Sequence, residues 1–231
     1  MIPLQDSVRS ESFPVVNTLL IAANVVVFVF EASLGAPQFE QLINLLGLVP
    51  VRFVAGPSLA WPTLFTSMFL HGGWAHLISN MWALYLFGDN VEDRMGPVRY
   101  LAFYLLSGVA AGLTHVYLVP RSALPTVGAS GAVAGVLGAY FVLYPRASVI
   151  TLVPLFFLPW LVEITAFLYL GLWFLSQLWS GLLSLGSVGA FGGIAWWAHV
   201  GGFVFGMLVV NILARPYRRH RRRYVDEYYP W

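Results

Sequence analysis

The sequence predicts an all-α membrane protein, a bundle of six transmembrane helices whose first long loop is itself partly embedded. Three observations lead there. Apolar residues make up 59% of the 231 residues and charged residues only 10%, against roughly 25% charge in a soluble domain, so lipid must cover much of the surface. Several apolar runs approach the ~20 residues that a helix needs to cross a bilayer. The polar residues that interrupt those runs gather near matching ends of three of them.

Taken in order, residues 1–13 read as a cytoplasmic tail. The first apolar run lacks a small-residue cleavage site, so no cleavable signal peptide is expected. Span one is Val15–Leu34. Residues 35–61 contain Pro37, Pro50 and Pro57, yet Leu42, Ile43, Leu45, Leu46 and Leu48 make them too apolar for an ordinary loop. They are placed in the interface or partly inside it. Span two runs from Trp74 to Phe87 and stops at the patch Asp89–Arg94, read as a solvated helix end. Span three is Val98–Leu118, and span four lies between Pro125 and Pro145. Pro154 and Pro159 break the next segment. That puts span five at Leu161–Trp179 and leaves Val149–Leu158 near the interface. A Gly/Ser-rich stretch, Ser180–Gly193, precedes span six at Ile194–Leu213. Residues 14–214 thus form one membrane domain, and residues 215–231 a basic tail, with no soluble domain and no internal repeat.

Orientation follows from the basic residues, all of them arginine. With six spans both termini share a side. Arg9, Arg94, Arg99, Arg146 and the six arginines of the C-terminal tail fall on it, against Arg52 and Arg121 opposite. Positive charge marks the cytoplasmic side, so both termini are cytoplasmic. In so apolar a chain the basic tail reads as a membrane flank, not as a nucleic-acid site.

Spans two, four and six then all enter from outside. His76 and Asn80 lie near the start of span two, Ser130 near the start of span four, and His199 near the start of span six. At 1.5 Å per residue the four side chains sit roughly 5–12 Å below the outer surface. Polar side chains in lipid are costly and are functional candidates by default. His76 and Asn80 share a helix face, as do His199, Gly202 and Gly206. Gly202 and Gly206 form a GxxxG pair, which admits close backbone approach. Span four answers with Gly131 and Gly135. Such packing brings Ser130 within hydrogen-bond reach of His199, the minimum for nucleophilic catalysis. No acid lies at this depth on those helices, so the expectation is a dyad. Asn80, His76 and the backbone N–H groups beside Ser130, that of Gly128 among them, are the expected oxyanion donors.

These residues resemble a known family. Gly128-Ala129-Ser130-Gly131, Ala198-His199 with Gly202 and Gly206, and the stretch Leu70-His71-Gly72-Gly73-Trp74-Ala75-His76-Leu77-Ile78-Ser79-Asn80-Met81 are similar to the rhomboid intramembrane serine proteases. The resemblance runs from about Thr63 to Val209. It implies a six-helix core, Ser130 as nucleophile, His199 as base, and His76 and Asn80 as oxyanion partners. It implies that residues 35–61 are partly embedded, that Ser180–Gly193 caps the site, and that span five flanks substrate entry. The substrates would be membrane proteins cut in or near their own transmembrane segments in the lipid bilayer. No cofactor and no metal is implied. Two departures stand out. Trp61-Pro62 occupies the place of a Trp-Arg pair, and Ala134 that of an aromatic that packs on the histidine, so Trp196 or Trp197 is expected to brace His199 instead.

Other functions fit less well. The absence of cysteine removes thiol chemistry. A zinc protease wants HExxH, which His71 and His76 do not make. An aspartyl protease wants two buried acids, and Glu163 is read as the lone carboxylate within a span. A transporter wants a polar path through the midplane. A catalytically dead relative would lack the serine or the histidine. His71 reads as a loop or interface residue and His115 as structural. The all-arginine basic complement points to a bacterial source and so to the inner membrane.

Overall fold

The structure, a computed structural model, describes residues 1–155, 158–185 and 194–215. It is mostly helical. Strand β1 (Ile2–Asp6) is followed by helix α1 (Val15–Ser33). In α1, Asn17, Leu20, Asn24, Phe28 and Glu31 are buried at three- and four-residue spacing, so one stripe of an otherwise apolar helix faces the protein. Residues 36–60 fold as three short helices, α2 (Ala36–Leu46), α3 (Pro50–Ala55) and α4 (Pro57–Ala60). Proline sits in the first turn of α2 and α3, where its missing N–H leaves no bond unmade. Leu48 and Thr126 exchange backbone hydrogen bonds of 3.0 and 2.8 Å. This pins the loop to the segment that leads into Ser130.

Helix α5 (Thr63–Thr66) and a 3-10 turn (Ser67–Phe69) lead to α6 (Trp74–Ala83). Helix α6 runs through one π-helical turn, Leu84–Gly88, into α7 (Asp89–Met95). Helices α8 (Pro97–Leu118) and α9 (Ser130–Leu143) follow. After strands β2 (Ser148–Leu155) and β3 (Leu158–Thr165) come α10 (Ala166–Leu185) and α11 (Trp196–Leu213). Among the described residues four helices, α1, α8, α10 and α11, are long and apolar enough to cross a membrane, whereas α9 is shorter.

Helix α9 is the axis of the fold, buried from Gly131 through Tyr140 and packed between α8 and α11. Its glycines decide how close the neighbours come. A Cβ at Gly202 would lie 2.0 Å from Gly131 O, and one at Gly206 2.0 Å from Gly135 O. Side chains cannot fit there, so α9 and α11 touch backbone to backbone. A Cβ at Gly135 would also meet Ser107 of α8, 2.4 Å away.

Four sequence expectations need correction. The fold is not all-α: β1, β2 and β3 form an antiparallel sheet, with Ile2 opposite Leu152 and Asp6 opposite Val149. Residues 148–165 are dense in Val, Ile and Thr, which favour the pleated backbone over the helix. The fifth helix accordingly starts at Ala166, not Leu161, and extends to Leu185. Glu163 lies exposed on β3 opposite Ile150 and outside any span, whereas Glu31 of α1 is buried within one. The patch Asp89–Arg94 is not a solvated end, because Asn90 and Glu92 are 1% and 3% exposed. Glu92 accepts the N–H groups of Val16 and Asn17 at 3.0 and 2.7 Å. It satisfies orphan donors at the start of α1 with a charge that the helix dipole favours. The expected cap at 180–193 falls largely outside the described residues, as do residues 216–231 of the basic tail.

Candidate active site

Ser130 is the first residue of α9 and His199 lies in the first turn of α11. The close approach of Gly131 to Gly202 sets these two helix starts side by side. His199 Nε2 is 2.8 Å from Ser130 Oγ. Both residues are half-buried. A cavity of about 30 Å³ adjoins Ser130, lined in part by Ser67, Gly128 and Gly131. That is room for a water molecule with polar partners.

The chain reaches Ser130 through Gly128, whose φ is +126°, a conformation that side-chain-bearing residues rarely adopt. A Cβ there would lie 2.6 Å from His76 Cε1 and Nε2 and 3.6 Å from Ser130 Oγ. Glycine therefore lets the His76 ring come up beside the serine. The Gly128 N–H, expected among the oxyanion donors, is donated to Ser67 O at 2.9 Å and is already committed. The donors left are further along: the first-turn N–H groups of α9 have no intrahelical acceptor. Asn80, one turn along α6 from His76, is 5% exposed, and its Nδ2 has no hydrogen-bond partner among the described residues.

His71 lies in the loop between the 3-10 turn and α6, with its side chain fully buried. Its backbone N–H donates to the Glu31 carboxylate at 3.1 Å, and its ring meets the His76 ring edge-on with centroids 5.2 Å apart. Burial holds His71 neutral, with a pKa lowered to about 4; the nearby His76 adds to that. His115 is buried in α8. Trp196 packs edge-on against His199, 6.2 Å between centroids, as expected. Trp197 packs over Gly181 instead.

Two neighbours of His199 escaped the sequence reading, and both lie on α10. Gln177 Oε1 is 2.8 Å from His199 Nδ1. Trp173, one turn earlier, lies 6.0 Å from the imidazole with the rings 33° apart. The signal for Gln177 was present: it is the sole carboxamide in an apolar helix, and such residues are functional candidates. A larger cleft of about 880 Å³ opens at the opposite end of the helices, among Arg9, Asp93, Arg94 and Arg215, far from this chemistry.

Residues 58–216 match the family model of the rhomboid domain. The chain belongs to the rhomboid family. Among its rhomboid relatives, Rhomboid-like protein 11, chloroplastic, of Arabidopsis thaliana is 34% identical over 113 residues, 49% of this chain and 40% of that protein. Rhomboid protease GluP of Bacillus subtilis (strain 168) is 34% identical over 127 residues, 54% of this chain and 24% of that protein. Inactive rhomboid protein 1 of Drosophila melanogaster is 35% identical over 113 residues, 49% of this chain and 8% of that protein. The chain thus spans less than half the length of these relatives. The apolar helices and the rhomboid domain together make it a multi-pass membrane protein.

Proposed function

We propose that this rhomboid chain is an intramembrane serine endopeptidase that hydrolyses peptide bonds in or near transmembrane segments of other membrane proteins. The observation that carries the reading is the 2.8 Å contact between Ser130 Oγ and His199 Nε2. His199 takes the hydroxyl proton as Ser130 Oγ attacks the scissile carbonyl carbon. The tetrahedral oxyanion accepts hydrogen bonds from Asn80 Nδ2, the His76 ring and first-turn N–H groups of α9. Collapse breaks the C–N bond, and His199 returns the proton to the leaving amine. A water, deprotonated by the same imidazole, then attacks the acyl carbon; the C–O bond to Ser130 breaks and His199 returns the proton to Ser130 Oγ. Each step uses the chain's own side chains, with no metal or cofactor.

The same reading sets the membrane arrangement. Helix α1, helix α6 with its π-helical turn, and helices α8, α9, α10 and α11 are the six spans, with residues 35–61 partly embedded, and α7 lies beyond the end of the second span. The arginine distribution supports cytoplasmic termini, and the all-arginine basic complement supports a bacterial inner membrane. The tails, residues 1–13 and 215–231, flank the membrane domain at residues 14–214.

An inactive relative exists, so the serine itself must be tested. The full chain in detergent is incubated with a fluorophosphonate that labels activated serines. The wild type labels; Ser130→Ala and His199→Ala do not, while both keep the wild-type melting midpoint. Equal labelling of all three would show that the dyad is inert.

A further inference from the structure

The hydrogen bonds around His199 form a chain whose polarity is fixed at its far end. A backbone carbonyl only accepts. Ser176 Oγ therefore donates to Trp173 O, 2.6 Å away, and keeps its lone pairs for another donor. Gln177 Nε2 donates to Ser176 Oγ at 3.0 Å. That orients the carboxamide so that Oε1 faces His199 Nδ1 at 2.8 Å. A carboxamide oxygen also only accepts, so Nδ1 must carry the imidazole proton. In a neutral ring Nε2 is then a bare lone pair, pointing at the Ser130 hydroxyl.

We infer that Gln177 is a positioning residue that locks His199 into its Nδ1–H tautomer. This rests on the reading of Ser130 and His199 as nucleophile and base. Only this tautomer can take the Ser130 proton. With the opposite one, Nε2–H would point at the hydroxyl and no base would be present. When the proton moves from Ser130 Oγ to Nε2, the ring becomes a cation with both nitrogens protonated. Gln177 Oε1 then accepts a charge-assisted bond, stronger than the neutral one. No proton passes to Gln177, because a carboxamide is not a base at these pH values; the proton on Nε2 leaves on the departing amine. Trp173, one turn earlier on α10, holds the ring plane against rotation about this bond. The role given to an acid in three-residue sites here falls to a neutral amide on a third helix. Gln177 is 7% exposed, so an unpaired amide at this place would be costly. The ionisable side chains whose charge reaches His199 are His76 on α6 and His115 on α8.

The test measures kcat and KM, as functions of pH, on the full chain in detergent. The probe is a fluorogenic peptide containing one transmembrane helix. Gln177→Met keeps size and loses the acceptor. It lowers kcat roughly 10- to 100-fold, within the contribution of general-base catalysis, with KM within about two-fold and the melting midpoint unchanged. Gln177→Glu recovers part of the rate and moves the acidic limb of the kcat profile to higher pH, because a carboxylate favours the imidazolium. In the 15N spectrum of histidine-labelled protein the His199 signal shows Nδ1 protonated in wild type and a tautomer mixture in Gln177→Met. A wild-type kcat in Gln177→Met, or an Nε2-protonated ring in the wild type, overturns the inference. The spectrum of the wild type decides alone if Gln177→Met fails to fold. Ser130→Ala and His199→Ala run alongside. Cleavage by Ser130→Ala sinks the dyad itself, whereas dead dyad variants beside a fully active Gln177→Met sink only the role of Gln177.

Discussion

Two clusters of buried polar residues lie at opposite ends of the bundle, and they differ in how completely they are bonded. At one end Glu92 accepts the N–H groups of Val16 and Asn17. Asn17 donates to Leu84 O at 2.9 Å and accepts from Tyr100 Oη at 2.8 Å. Asp6 accepts from both Tyr140 Oη and Asn90 Nδ2; Asn90 Oδ1 lacks a partner among the described residues. At the other end Asn80 Nδ2 and both ring nitrogens of His71 are buried without partners among the described residues. Buried polar groups left unmade cost about 1–3 kcal/mol each. A fold tolerates that where the missing partner arrives with a ligand. The saturated cluster is therefore structural glue, and under the proposed function the unsaturated one is where a substrate carbonyl would find its donors.

The contrast is broken if the two clusters respond alike to truncation. Asn80→Ala removes one waiting donor. We expect kcat on a transmembrane peptide to fall about 100-fold, the usual cost of an oxyanion donor, with the melting midpoint within a degree or two of wild type. Loss of stability with unchanged kcat would mean that Asn80 is glue as well. Glu92→Gln does the reverse. It removes the charge that caps α1, and thermal unfolding in detergent should show about 1–3 kcal/mol of lost stability, while kcat per folded molecule stays within about two-fold. A large kcat defect with intact stability would place Glu92 in the active site's machinery and erase the distinction.

The sequence showed one end of this comparison more clearly than the other. Ser130, His199, His76 and Asn80 stand out because each interrupts an apolar run near the same end of its helix, and Gly202 and Gly206 announce close packing by spacing alone. Gln177 also interrupts an apolar run, but it sits in the C-terminal half of a helix that the resemblance assigns to substrate entry, so its reach to His199 is not legible in the spacing. The Asp89–Arg94 patch reads as a solvated end because a charged run after an apolar one looks like a helix leaving the membrane. Only the three-dimensional path shows α1 beginning against Glu92. The sheet was lost for a similar reason. Pro154 and Pro159 look like interruptions of a helix, yet they face each other across the β2–β3 hairpin, and the N-terminal residues that complete the sheet are distant in sequence. Contacts between neighbours along a helix are written in the spacing; contacts between remote segments are not.

The smallest expected effect lies within the saturated cluster, at Asp89. Burial raises its pKa from 3.8 to about 6, and the neighbouring Asp6 adds to the shift despite bonds from Asn90 and its own backbone. Asp6 is raised too, again chiefly by burial, although Tyr140 opposes it. The folded chain thus holds the Asp89 proton where the unfolded chain has released it. Stability from Asp89 is full below about pH 4 and is lost as pH rises through about 6. Asp89→Asn cannot lose that stability. The melting midpoint of Asp89→Asn minus that of wild type should therefore grow between about pH 4 and pH 6 and level off above. One pKa unit is worth about 1.4 kcal/mol, and residual solvent at this half-buried group reduces the effect to about 1 kcal/mol, a few degrees for a chain of this size. A difference that shrinks over that interval would mean that the Asp89 carboxylate is stabilised by the cluster, and that this end of the bundle is held by charge as well as by hydrogen bonds.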